Sequence, residues 1–151
     1  MTAHCADVTA DHGSDYVAVT AAGQLFGVPI ERVRDVFTVS EMTPVPLGPP
    51  EVVGLLNLRG RIATAIDLRR RLGLSRAEGE SLMAVGIEAN GESYGLIVEG
   101  IREVIRLGRE TRDQNPAHLS GAWSGLSSCV HRLDGELLVV LDVDAVLDIR
   151  A

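Results

Sequence analysis

Three side chains near the amino terminus, His4, Cys5 and His12, belong to residue types that bind metals. Their number and spacing do not match the full ligand set of a structural zinc site. In a small polar segment such side chains are more often solvated than metal-bound. We therefore expect no metal and no other cofactor.

Two histidines, His118 and His131, have the chemistry of general bases, and Ser124 lies in the segment Gly121-Ala-Trp-Ser-Gly125. The serine is out of register for a nucleophile elbow, and neither histidine has a nucleophile near it in the sequence. The chain also contains no Lys, which removes a P-loop, a Schiff-base lysine and Ser-Lys catalysis. The sequence thus predicts that the protein is not an enzyme. A small-molecule hydrolase that depends on His118 or His131 is an alternative.

Asp67 and Asp142 are the remaining candidates for a catalytic carboxylate pair. Each follows a β-rich run and precedes a short helical segment. At that position Asp is strongly preferred because its side chain accepts hydrogen bonds from the free N–H groups of the first helical turn. We predict that both residues are helix caps.

The stretch from Val52 to Leu72 is the clearest structural unit that could position such groups. Two β-rich runs flank the pair Arg59-Gly60, which predicts a β-hairpin with a two-residue turn. Asp67 then caps a short Arg-rich helix, and Gly73 suits the left-handed position after its end. Arg is unfavourable in a turn that needs positive φ, so a reason other than folding is expected for Arg59.

Two constant shifts relate the two halves of the chain. Residues 58–72 match residues 133–147 at a shift of 75, with Asp-Gly in place of Arg-Gly at the turn. Residues 17–36 match residues 85–104 at a shift of 68. These matches without a gap predict a duplication with equivalent cores, in which Val36 and Val104 are both buried.

Each half contains a hairpin, a short helical turn with a further strand, a long loop, a second hairpin and a capped helix. Five short strands can close into a small barrel, and an aromatic-poor, Val-rich core suits its narrow interior. We predict an all-β fold of two pseudo-symmetric five-stranded β-barrels packed together, with short helices. Residues 1–14 are expected to be a flexible tail, and residues 15–151 one domain of two intertwined halves, roughly 15–75 and 80–151.

Composition and charge limit the classes of partner. The net charge of −7 and the pI near 5.0 argue against nucleic acid and anionic membranes, which bind basic surfaces. No apolar run approaches the roughly 18 residues of a membrane span, so we expect no direct membrane insertion. Cys5 and Cys129 lack a metal-like or CxxC spacing, which favours a cytoplasmic protein with free thiols.

Four segments carry a resemblance to a known family. They are Phe26 to Ile30 with its continuation to Val36, the run from Gly54 to Leu68 that contains NLRG and IDL, the strand Tyr94 to Val98, and the closing LDGELLVVLDVDAVL. The chain resembles the CheW family of chemotaxis coupling proteins over about residues 16–149. The most specific part of the match is NLRG followed by IDL.

This resemblance implies two five-stranded SH3-like barrels, no catalysis, and an adaptor or scaffold role in chemotaxis signal transduction. The adaptor would link the cytoplasmic tips of methyl-accepting chemoreceptors to the regulatory domain of the histidine kinase CheA, at membrane-associated receptor arrays in the cytoplasm. By position, a receptor-binding groove between the barrels would use five residues: Val33, Asp35, Gly54, Asn57 and Arg59.

A small β-barrel that binds nucleic acid through a basic groove and stacking aromatics is an alternative to this function. The acidic net charge and the 3% aromatic content make it the weaker of the two.

Overall fold

The computed structural model describes residues 14–39, 42–44, 51–58, 60–74, 82–108, 112–113, 125–133 and 135–148. The strands are β1 Ser14–Ala21, β2 Gln24–Pro29, β3 Val33–Thr38, β4 Val52–Leu58, β5 Arg61–Asp67, β6 Met83–Ala89, β7 Glu92–Val98, β8 Gly100–Leu107, β9 Arg112–Asp113, β10 Ser127–Leu133 and β11 Glu136–Leu141. The helices are α1 Leu68–Arg71 and α2 Val143–Leu147, and a 3₁₀ turn, Ile30–Arg32, joins β2 to β3. The predicted all-β fold with short helices is confirmed. Of the predicted tail, Ser14 belongs to β1, and residues 1–13 lie outside the described part of the chain.

Two tight turns set the register of the β1–β2 and β6–β7 hairpins. These hairpins begin the two halves of the chain and are called the leading hairpins below. Ala22 and Gly23 join β1 to β2 with φ of 56° and 74°, and Asn90 and Gly91 join β6 to β7 with φ of 52° and 79°. A two-residue turn with positive φ at both central residues has a twist that matches the twist of the flanking strands. The two hairpins therefore have the same construction at equivalent positions of the repeat.

The strands form two sheets that do not follow the halves of the sequence. One sheet has the order β8-β1-β2-β11-β10-β9, and the other has the order β3-β6-β7-β5-β4. Each leading hairpin pairs with strands of the opposite half, through parallel contacts of β2 with β11 and of β7 with β5. The first sheet has six strands rather than five because the two-residue strand β9, too short for any alternating pattern, joins its edge.

The duplication predicted from the sequence is visible in the strand register. Val17 lies opposite Val104 in one sheet, and Val85 lies opposite Val36 in the other. These two pairs occupy equivalent positions of the repeat, with the order of the halves reversed. Both sheets therefore repeat the same pairing. The leading hairpin of each half lies in a sheet with strands of the other half, and this arrangement is called the exchange of the leading hairpins below.

The largest apolar cluster lies between the two sheets. It contains Val17, Val19, Ala21, Phe26, Val28, Ile66, Leu68, Leu72, Val85, Ile87, Leu96, Val98, Leu126, Val130, Val139, Leu141, Val143 and Val146. A smaller cluster on each sheet lies apart from it, one centred on Leu138 and one on Leu56. Because both sheets contribute to the central cluster, burial of its apolar surface holds the two halves together.

The prediction that Val36 and Val104 are buried is wrong. Their exposed fractions are 47% and 55%, whereas their cross-strand partners Val85 and Val17 are buried in the central cluster. Both valines lie on an outer strand of their sheet, β3 or β8. At these two positions the central cluster does not extend past the cross-strand partner, and Val36 and Val104 are therefore both exposed.

The prediction of free thiols is also wrong. Cys129, on β10, is buried and disulfide-bonded, and the chain's other cysteine, Cys5, lies outside the described residues. Sequence spacing reveals a metal or redox motif only when its cysteines lie close together in the chain, so it carries no information on the bonding of Cys129.

Candidate protein-binding surface

The two candidate catalytic carboxylates are helix caps, as predicted. Asp67 accepts a hydrogen bond from the backbone N–H of Arg69 at 3.0 Å, and Asp142 accepts one from that of Ala145 at 3.3 Å. Each satisfies an N–H group that lacks a partner within its own helix. Their carboxylates are therefore used in starting α1 and α2.

His131 is buried on β10, where its ring centroid lies 5.8 Å from that of Tyr16. His118, Ser124 and the three residues of the amino-terminal metal candidate lie outside the described residues. Within the residues that are described, no group of three or more His, Cys, Asp and Glu side chains could hold a metal ion. His131 thus contributes to packing inside the first sheet.

The outer strands of the second sheet, β3 and β4, carry four of the five predicted receptor-binding residues, and the sheet curls to bring these strands together. In a flat sheet these strands would lie about 19 Å apart. The backbone N–H of Val39 donates a hydrogen bond to the carbonyl oxygen of Leu82, next to β6. Only four residues later, Thr43 and Leu55 of β4 form two backbone hydrogen bonds, at 3.0 and 2.8 Å. The chain from Val39 to Thr43 can span at most about 14 Å. The sheet therefore has the strong curvature of a small barrel.

Contacts across the interior agree with this curvature. A Cβ atom placed on Gly95 of β7 would lie 2.9 Å from Leu56 on β4 and 3.8 Å from Phe37 on β3. Side chains from both outer strands thus meet over the same glycine. The interior has no room for a larger residue at position 95.

Gly54 has a structural reason to be glycine. A Cβ atom there would lie 2.6 Å from both Cγ of Met42 and the carbonyl oxygen of Thr43. The missing side chain allows residues 42–44 to cross closely over β4, where Gly54 is buried. Its contribution to any binding surface is to let this crossing close.

Asn57 lies at the exposed end of β4 and supports the turn that follows. Its side-chain oxygen accepts a hydrogen bond from the backbone N–H of Gly60 at 3.0 Å, and Gly60 has φ of +87°. Arg59, between them in sequence, lies outside the described residues. The predicted positive φ of Arg59 therefore stays a prediction, while the positive φ of its glycine neighbour is confirmed.

The remaining predicted residues, Val33 and Asp35, lie at the start of β3. Val33 packs against the central apolar cluster, and a Cβ atom on Gly86 of β6 would lie 3.3 Å from Cβ of Asp35. Both are half-buried. The structure thus brings Asp35 close to β6, at the end of the barrel that also carries the start of β5.

Three charged side chains beside Asp35 form a network that sequence reasoning missed. Arg34 Nη2 donates to Glu88 Oε1 at 2.5 Å, and Arg61 Nη1 lies 3.9 Å from Glu88 Oε2. Glu88 is 54 residues from Arg34 in the chain. Only the pairing of β3 with β6 brings the two together, so no local pattern could have indicated it.

A pocket of about 340 Å³ opens over this network. It is lined by Arg34, Asp35, Arg61, Gly86, Ile87, Glu88, Ser93 and Tyr94. Partial burial, followed by a hydrogen bond to Glu92 and repulsion from its charge, raises the pKa of Tyr94. Tyr94 therefore stays protonated at neutral pH and donates to Glu92 at 3.0 Å.

Both described helices are short, at four and five residues. In the part of the chain that the structure describes, no helix is long and apolar enough to cross a membrane.

Comparison with known proteins shows which family the chain belongs to. A family model described as a CheW-like domain matches residues 15–151. The chain belongs to this family. It is similar to chemotaxis protein CheW of Thermotoga maritima, with 26% identity over 83% of this chain and 82% of that protein. It is also similar to chemotaxis protein CheW of Rhizobium meliloti, with 27% identity over 89% and 87%.

The fold of a CheW protein agrees with the structure. The crystal structure of the scaffolding protein TtCheW from Thermoanaerobacter tengcongensis matches with a TM-score of 0.80 and 24% identity, over 91% of this chain and 94% of that one. The predicted resemblance to the CheW family and the predicted SH3-like all-β fold are confirmed. In the described part of the chain, the two predicted barrels are curled sheets whose outer strands do not pair with each other, so neither is closed. The roles of the five predicted binding residues stay a prediction.

Proposed function

We propose that this protein is a non-enzymatic adaptor that couples chemoreceptors to the histidine kinase CheA in a chemotaxis signalling array. The observation that carries this function is the match of the CheW-like domain to residues 15–151, nearly the whole chain. Curated relatives over most of the chain are named chemotaxis protein CheW, and the similar solved structure is named a scaffolding protein. Nothing in these comparisons supports the nucleic-acid alternative, which the net charge of −7 also disfavours.

The receptor would bind where the outer strands of the curled sheet meet. Val33 and Asp35 supply one side of this surface and Asn57 the other, with Arg59 at the turn that Asn57 supports. Gly54 would act indirectly, since its lack of a side chain lets residues 42–44 cross β4. The receptor contact therefore combines an apolar residue, a carboxylate and a guanidinium within one end of the sheet.

The kinase would bind through its own CheW-like regulatory domain, barrel end against barrel end. Two similar units already pack within this chain through a large apolar cluster, and similar units of another chain can form heterologous contacts of the same kind. Because apolar burial is not screened by salt, we expect this complex to persist in about 0.5 M salt. Binding at the array would place the protein in the cytoplasm, beside the membrane that holds the receptors.

The substitution Arg59→Ala tests the receptor contact. We expect the free energy of unfolding to change by no more than about 0.5 kcal/mol, as for a surface residue away from the core. Co-sedimentation with receptor arrays should fall strongly. Arg102→Ala is the matched control, since Arg102 lies on the other sheet in a partly exposed ion pair with Glu136.

Two results would contradict the proposal. A large loss of thermal stability in Arg59→Ala would mean that Arg59 is structural. Failure of the unmodified protein to bind both the receptor fragment and the kinase regulatory domain of its own organism would reject the adaptor function itself.

A further inference from the structure

Equivalent positions of the two halves carry different charges, and the difference is concentrated at one pocket. In the second sheet, Arg34 and Arg61 both approach Glu88. At the equivalent place in the first sheet, Arg102 lies 3.7 Å from Glu136, which stands where the other half has Arg61. Thr20 stands there in place of Glu88. In the second sheet, one carboxylate thus lies near two guanidinium groups. In the first sheet, one carboxylate lies near a single guanidinium group.

The surplus guanidinium groups are accessible. The side chains of Arg34 and Arg61 are 68% and 70% exposed, and Glu88 is 31% exposed between them. The contact of Arg61 with Glu88, at 3.9 Å, is too long for a hydrogen bond. Since each guanidinium offers five N–H donors in a planar fork, most of the donor capacity at this site is not used by Glu88.

We propose that this pocket binds a carboxylate side chain of the chemoreceptor, held between Arg34 and Arg61. The inference rests on the proposed adaptor function and names a receptor group that the adaptor recognises. Planar bidentate pairing makes a carboxylate a good match for a guanidinium fork. Asp35, already a predicted receptor contact, lines the same pocket of about 340 Å³.

The composition of the pocket selects a singly charged group. Asp35 and Glu88 line it together with the two arginines, so a dianionic phosphate would meet two carboxylates at close range. A single carboxylate requires only that Arg61 turn away from its long contact with Glu88.

Glu88 then acts as an internal competitor. It holds Arg34 and Arg61 near the pocket in the free protein, and it competes with the receptor carboxylate for both. Neutralising Glu88 should therefore strengthen receptor binding, which is the opposite of what loss of a purely structural ion pair would do.

The test measures binding of a receptor cytoplasmic fragment to the full chain by calorimetry. Arg61→Glu, which copies the residue of the equivalent hairpin, should weaken binding at least about thirtyfold, and Arg34→Ala about tenfold. Glu88→Gln should strengthen it about threefold. Arg102→Ala, the equivalent of Arg34→Ala on the other sheet, should stay within about twofold of the unmodified protein. Binding of the kinase regulatory domain should be unchanged in all four variants.

Salt dependence gives a second measurement on the same samples. Between about 0.05 and 0.5 M salt, receptor affinity of the unmodified protein should fall more steeply than that of Arg61→Gln, because the variant has lost a screened charge pair. Arg61→Gln also replaces Arg61→Glu if the charge reversal prevents folding.

The outcomes separate the two proposals. Unchanged receptor affinity in Arg61→Glu or Arg61→Gln, or weaker binding in Glu88→Gln, would overturn the carboxylate site while the adaptor function stands. Equal losses in Arg34→Ala and Arg102→Ala would also overturn it, since the effect would then not be local. Failure of the unmodified protein to bind receptor and kinase would reject the adaptor function instead.

Discussion

The β4–β5 and β10–β11 hairpins share several backbone features, whereas the residues at their tips have opposite charges. Both turns contain a glycine with positive φ, +87° at Gly60 and +83° at Gly135. Both second strands pair in parallel with a leading hairpin of the opposite half. An aspartate that caps a helix is the last residue of β5 and directly follows the last residue of β11. These shared features are the ones that the backbone requires.

The differences lie on side chains that the backbone does not require. The first tip carries Arg59 and Arg61, and the second carries Asp134 and Glu136. Duplication thus separates two kinds of constraint: positions that keep their chemistry in both copies serve folding, and positions that reverse it serve something that only one copy does. The receptor contact proposed for the first hairpin is of the second kind.

The largest effect on stability is expected from Gly54→Ala. Gly54 lies on the β4–β5 hairpin, where residues 42–44 pack closely over β4. The added Cβ would meet Met42 and the backbone of Thr43 at 2.6 Å, and backbone cannot move away cheaply. We expect the free energy of unfolding to fall by about 3 kcal/mol, the upper range for overpacking. Chemical denaturation would measure it.

Gly125→Ala is the matched control for that substitution. A Cβ atom on Gly125 meets nothing within 4 Å, and its φ is not positive, so we expect almost no change in stability. A Gly54→Ala protein as stable as the control would show that residues 42–44 do not constrain β4. The close packing over β4 would then not distinguish the β4–β5 hairpin from the β10–β11 hairpin.

A smaller effect is expected where the hairpins are alike. Asp67→Ala and Asp142→Ala each remove a helix cap, which typically costs about 1 kcal/mol. Asp67 is fully buried and its bond is shorter, 3.0 Å against 3.3 Å, so we expect about 2 kcal/mol for Asp67 and about 1 kcal/mol for Asp142. Thermal melting of both variants would check the order. A larger loss in Asp142→Ala than in Asp67→Ala would contradict the expectation that the more buried cap contributes more to stability.

The smallest effect is expected on the outer strands, where the halves match in exposure. Val36→Thr and Val104→Thr keep a β-branched residue on strands β3 and β8 and add a hydroxyl group that water can reach. Each should change the free energy of unfolding by less than about 0.5 kcal/mol. A loss above about 1 kcal/mol at either position would indicate a buried hydroxyl without a partner. Denaturant titration of both variants, side by side, decides this.

The sequence predicted the local elements of this fold well. Turn glycines, capping aspartates and the two constant shifts are local signals, and each hairpin and cap predicted from them is present. The exchange of the leading hairpins was not predictable, because a repeat shows which segments are alike and not which copy each one pairs with. The exposure of Val36 and Val104 was missed for a related reason: an apolar residue on a strand does not tell whether the opposite sheet extends over it.

The candidate surface was predicted only in part. The family resemblance supplied Val33, Asp35, Gly54, Asn57 and Arg59, and the structure gives Gly54 and Asn57 local reasons to be what they are. Glu88 carried no signal, since its partners Arg34 and Arg61 come from strands far away in the chain. Long-range pairing of charged side chains is a property of the folded sheet.

The exchange of hairpins also fixes the order in which the chain can fold as it is synthesised. All strands of the second sheet, β3 to β7, lie in one uninterrupted stretch, and that sheet can form as soon as β7 has left the ribosome. The β1–β2 hairpin is made first, yet Leu25 pairs with Leu138, 113 residues later. During that interval the apolar face of the hairpin has only the second sheet to cover it. A nascent chain stalled before β11 would therefore leave β2 without its parallel partner, and the β1–β2 hairpin, made early, would be among the last to complete its sheet.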